Sequence, residues 1–205
     1  MGKRMKWILG ALIASCLVSS AYATDRFPLL KPDQMTPRQK EVADAIMASR
    51  KNLSGPFPAW LRSPEMADRF QRAGEYVRYN TALPKALSEF VILVTAREWT
   101  CQIEWYLHVP EATAAGVSPQ IIADIAARKR PSGMNADQTM LYDFGLHMHR
   151  DHGHVPEVLF NQLRARFGDK GVVDIIGING YYDAVAMTIN AADAPMPPGV
   201  KPPLD

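Results

Sequence analysis

Proline limits what this chain can fold into more than any other residue, because so much of it falls where helices begin. Thr36-Pro37 reads as an N-cap followed by proline at the first helical position, and it opens a helix to about Arg50. Pro64 heads a second segment, to Tyr79, in which Met66, Phe70, Ala73 and Val77 recur at helical spacing. Ser118-Pro119 opens another, closed by the basic pair Lys129-Arg130 and the breaker Pro131. Asn135 with Gln138 forms a capping box ahead of Met140, Leu141, Phe144 and Met148. Pro156 starts a further amphipathic helix, which Gly168 stops. Between these lie an irregular arm with Pro28 and Pro32, a loop at residues 52–58 (N-L-S-G-P-F-P) and a proline-rich tail at 195–203, read as extended over the surface.

Two runs resist this reading. Residues 90–95 (F-V-I-L-V-T) and 172–176 (V-V-D-I-I) are short, apolar and β-branched, and periodicity alone does not separate a buried strand from a buried helix. The alanines, leucines and glutamates around the first run, and the lack of a hairpin turn to pair the two, favour helix. If both runs are helices, the fold class is all-α.

The first 23 residues read as a secretory signal: Lys3, Arg4 and Lys6, an apolar run from Trp7 to Val18, and Ala21-Tyr22-Ala23 as the small-x-small cleavage pattern. The run is shorter than the about 20 residues a membrane-spanning helix needs. Lipid attachment at Cys16 is the weaker alternative, since the residues after it stay apolar. Export to the periplasm or medium follows, with no membrane tie after cleavage. Residues 1–23 hold three basic and no acidic side chains, so the formal charge of +2 becomes −1 without them. That balance argues against a nucleic-acid partner. Cys101 is then the one cysteine left, which excludes an internal disulfide and any multi-cysteine metal site. The organisation read from the chain is signal peptide 1–23, arm and first helix 24–52, main domain 53–192 and tail 193–205.

The chemistry concentrates in residues 89–108, E-F-V-I-L-V-T-A-R-E-W-T-C-Q-I-E-W-Y-L-H. Cys101, Glu104 and His108 are spaced by three and four residues, which places them on one helix face. Glu89 would lie about 18 Å from Cys101 along a straight helix at 1.5 Å per residue. It joins the group only if the chain folds back near Trp99-Thr100, or if a neighbouring subunit supplies it. Thr100 is a plausible N-cap for a new helix, which would put Cys101 in the first turn and lower its thiol pKa.

These residues resemble the carboxymuconolactone decarboxylase family, which includes alkylhydroperoxidase D. The peroxidase motif there is Glu, eleven residues, Cys, two residues, Cys, three residues, His. Glu89, Cys101 and His108 match it at the right spacing, and Glu104 stands in place of the second cysteine. Gly55-Pro56-Phe57, the Trp60 to Glu65 stretch (W-L-R-S-P-E), Leu83-Pro84, Ala96-Arg97-Glu98-Trp99 and Glu104-Trp105 extend the likeness over residues 53–192. The resemblance implies the alkylhydroperoxidase D-like helical fold, trimers or hexamers with sites near subunit contacts, and a break between the helices carrying Glu89 and Cys101. With Glu104 replacing the resolving cysteine, the intramolecular disulfide cycle is closed off.

What remains is proton handling. His108 suits general acid or base work near neutral pH. Glu89 and Glu104 side by side would hold a proton between them. Arg97 is the candidate to grip a substrate carboxylate. The expected activity is a cofactor-independent lyase, decarboxylating or isomerising a small unsaturated or lactone carboxylic acid, with Cys101 lining the site. The alternatives are a thiol-dependent peroxidase using Cys101, and a non-catalytic oligomeric binding protein. Trp60, Trp99, Trp105 and Tyr181-Tyr182 read as core or subunit contacts. His147, His149, His152 and His154 fit no standard zinc spacing, and no metal is assigned to them.

Overall fold

The computed structural model describes residues 25–205; the signal segment and Cys16 lie outside the described residues. All regular structure there is helical. After a short 3₁₀ turn at Pro32–Gln34 come α1 (Pro37–Arg50), α2 (Phe57–Trp60), α3 (Pro64–Tyr79), α4 (Lys85–Glu98), α5 (Gln102–Ala114), α6 (Pro119–Ala126), α7 (Ala136–Arg150) and α8 (Glu157–Ala191). The N-cap at Thr36 and the capping box at Asn135 stand where the sequence puts them, and Thr36 proves to belong to a box as well. Thr36 accepts from the Gln39 amide, and Asn135 from the Gln138 amide, each with the glutamine side chain reaching back. Gly168 breaks α8: its φ of 69° and ψ of 173° are not helical, a conformation that glycine adopts without a Cβ penalty.

α4 is the centre of the molecule, packed against α5, α7 and α8. Every residue from Leu87 to Arg97 is buried, so the helix has no solvent face to give it an amphipathic period. That is why its apolar run looked equally like a strand. Phe90, Ile92 and Leu93 are fully enclosed, and burying each such side chain is worth about 1.5–3 kcal/mol. The second ambiguous run lies inside α8, with Val172 and Ile175 in the core and Val173 and Ile176 outward.

Both chain ends are tied to this bundle. The Arg26 amide and guanidinium donate to the carbonyls of Ala192 and Ala191 at the end of α8. In the tail, the backbone of Leu204 pairs twice with the Gln102 side chain, at 3.0 and 2.8 Å. No described helix is long and apolar enough to cross a membrane.

Candidate active site

α4 and α5 meet in a sharp fold-back. The Thr100 amide donates to Arg97 O at 3.0 Å and the Cys101 amide to Ala96 O at 2.8 Å, the paired bonds of a helix ending in a left-handed residue. That residue is Thr100, at φ 47°, although a β-branched side chain is poorly suited to such a backbone. Its hydroxyl accepts from Arg128 at 2.8 Å and from Arg97 at 3.4 Å, which holds it there. Thr100 is therefore the last turn of α4 and not the N-cap of α5; Cys101, at φ −82° and ψ 99°, takes that place.

The fold-back returns the chain so that α5 lies against α4, and the chain supplies its own Glu89. His108 Nδ1 is 2.8 Å from Glu89 Oε2, and its Nε2 is 3.4 Å from Glu104 Oε2. The three side chains are 3%, 1% and 4% exposed, in the order His108, Glu89, Glu104. Burial alone would lower the His108 pKa, but the bonds to Glu104 and Glu89 outweigh it and the net shift is upward. The two carboxylates thus favour the charged form of the ring between them. Tyr182 stands perpendicular to it, ring centres 5.1 Å apart.

A cavity of about 170 Å³ opens on this group, walled by Glu104, His108, Arg50, Arg78, Tyr181 and Tyr182, with the 52–57 loop closing one side. An engineered void of about 150 Å³ admits benzene, so the space suits a small organic molecule. Gly55 in the loop has φ 69°, and a Cβ built on it would sit 3.5 Å from Glu104 Oε1. The loop backbone therefore passes directly over that carboxylate. Glu89 does not reach the cavity; it stands behind His108 and acts through it.

Two expectations need correction. Cys101 is fully buried and does not line the cavity. Its thiol is pushed up to about 12, by burial and by the Glu104 charge, against the smaller opposing effect of the Glu104 and Ile103 amides. The start of α5 does favour a thiolate, but desolvation and a neighbouring carboxylate win. Arg97 faces away from the cavity. Its guanidinium reaches Asp205 at 2.7 Å and Thr100, so it secures the tail and the fold-back. The arginines on the cavity wall are Arg50 and Arg78. Neither lies near the 89–108 segment in sequence, and no local spacing marks them. Tyr181 and Tyr182, expected as core or subunit contacts, are also wall residues.

The remaining histidines diverge. His147 Nδ1 pairs with Asp151 at 2.6 Å, while His149 meets Asp183 at 3.2 Å on one nitrogen and the Thr95 hydroxyl at 3.3 Å on the other. Among the described residues no group of three or more His, Cys, Asp or Glu side chains is arranged for a metal ion.

The fold and site define a helical protein with a buried Glu–His–Glu cluster beneath a small cavity. Residues 64–136 match the model of the Carboxymuconolactone decarboxylase family. That segment runs from the start of α3 into α7, and the match agrees with the resemblance read from the sequence. Neither the curated proteins nor the solved structures give a match. Glu89, Cys101, Glu104 and His108 all fall within the matched segment, whereas Arg50, Tyr181 and Tyr182 fall outside it.

Proposed function

We propose that this is an exported acid–base lyase that decarboxylates or isomerises a small unsaturated or lactone carboxylic acid. The observation that carries the reading is His108 bridging Glu89 and Glu104 at 2.8 and 3.4 Å at the wall of a small cavity. Loss of carbon dioxide leaves an electron pair on carbon, conjugated into an enolate. The imidazolium of His108 delivers the proton that carbon needs, and solvent later restores it. For isomerisation, Glu104 removes a proton beside the carbonyl and His108 returns one further along the conjugated system. Glu89 keeps the ring oriented and favours its charged form, in the way a buried carboxylate supports a catalytic imidazole. The thiol-peroxidase reading fares worse. A peroxidatic cysteine works as a thiolate with access to its oxidant, and Cys101 has neither property.

Glu104→Gln and Cys101→Ser, assayed side by side on the acid that turns over, test this. General acid–base groups contribute about 10²–10⁴-fold, so Glu104→Gln should lose that much in kcat. Cys101→Ser should lose less than about tenfold on the same scale, through packing alone. If Cys101→Ser is the more damaging change, the lyase reading falls.

A further inference from the structure

Arg50 is the last residue of α1 and lines the cavity. Its Nε and Nη2 are buried and make no hydrogen bond among the described residues, and no ion pair reaches its guanidinium. A guanidinium carries five donors and is always charged, and leaving buried donors unmet is costly. The group is nevertheless held in place. It lies over the Phe57 ring, 5.3 Å from its centre. A Cβ built on Gly74 of α3 would come within 2.5 Å of Arg50 Nη2 and would overlap the Tyr181 hydroxyl. Glycine at that position lets both groups pack onto the helix backbone. The pose is fixed by packing, and no described side chain accepts from it.

The charges around the cavity point the same way. Glu111 is already taken by Lys85 at 2.6 Å, and stands 4.0 Å from Arg78. On the wall that leaves the guanidiniums of Arg50 and Arg78 against the carboxylate of Glu104, one positive charge in excess, with His108 paired to Glu89 behind it. We propose that Arg50 is the anion-binding residue of the cavity, and that it takes the carboxylate of a small unsaturated acid, an inference that rests on the lyase reading of the same space. A single carboxylate restores neutrality and fits the guanidinium fork with two parallel bonds. The Phe57, Tyr181 and Tyr182 rings suit the conjugated chain behind it. A phosphate, carrying more charge, overshoots the balance.

The test is calorimetric titration of the full protein with crotonate, crotonamide and inorganic phosphate. Crotonate should bind more tightly than either of the others. Arg50→Gln should weaken crotonate by about ten- to a hundredfold, the usual size of a lost hydrogen bond to a charged group, and leave crotonamide unchanged. Arg50→Lys keeps the charge but not the fork, so it should show an intermediate loss and guards against a glutamine variant that misfolds. Arg78→Gln should matter less, because Glu111 stands near its guanidinium. Equal binding of crotonate by wild type and the Arg50 variants overturns the inference, as does amide or phosphate binding as tight as crotonate. The two readings fail separately. If crotonate binding depends on Arg50 but no acid turns over, the lyase reading is lost and the anion site stands. If an acid turns over and Arg50→Gln leaves its KM unchanged, the anion site is lost and the lyase stands.

Discussion

Cys101 offers a sharp check on the electrostatics of the site. With its pKa at about 12, roughly one thiol in ten thousand is ionised at pH 8, against roughly one in ten for a thiol at its ordinary value of 9.0. Alkylation proceeds through the thiolate, so ionisation alone should slow it about a thousandfold. Complete burial removes direct access as well. Global opening does not rescue the rate, because at a stability of about 5 kcal/mol or more the open fraction is below roughly one in a thousand. The assay is iodoacetamide labelling at pH 8, following the Cys101 peptide by mass spectrometry in native protein and in guanidinium chloride. The native rate should be at least about a thousandfold slower. A native rate within about tenfold of the unfolded one would refute the reasoning, and would return the peroxidase reading to the front.

Stability should depend on pH through His108. Its folded pKa is raised, so its contribution is complete below the unfolded value of about 6.5 and is lost as pH rises through the folded one, at up to about 1.4 kcal/mol per pH unit. Denaturant titrations across that window should show the decline, and His108→Gln should flatten it. The chain should also assemble with copies of itself, because Val173, Ile176 and Met187 form an exposed apolar stripe on one face of α8. A single monomeric species in sedimentation at micromolar concentration would count against that.

What the sequence revealed was what is local. Thr36-Pro37 and the Asn135–Gln138 box specify helix starts through bonds spanning three residues, and both formed as read. Cys101, Glu104 and His108 share a helix face by spacing alone, and simple length required either a fold-back or a neighbouring subunit for Glu89. The failures came where distant chain decides. Arg97 looked like a substrate ligand because it neighbours the motif, yet its side chain is claimed by Asp205 from the far end. Arg50 read only as the end of the first helix, and the packing of α1 on α3 and of α3 on α8 brings it to the cavity. The Cys101 pKa depended on a competition between helix start and burial, and no sequence pattern weighs those two.

The fold-back at Thr100 also divides the site by the length of chain each part requires. Glu89 and His108 are 19 residues apart, so their contact closes through a single short loop, the kind of contact that costs little entropy and forms early. The Arg50–Tyr181 wall needs helices from opposite ends of the sequence to dock first. On the proposed reading, the groups for proton transfer and for recognition are thus separately assembled halves. Sequence drift in α1 or α8 would then reshape the cavity wall while the Glu89–His108 contact stays intact between α4 and α5.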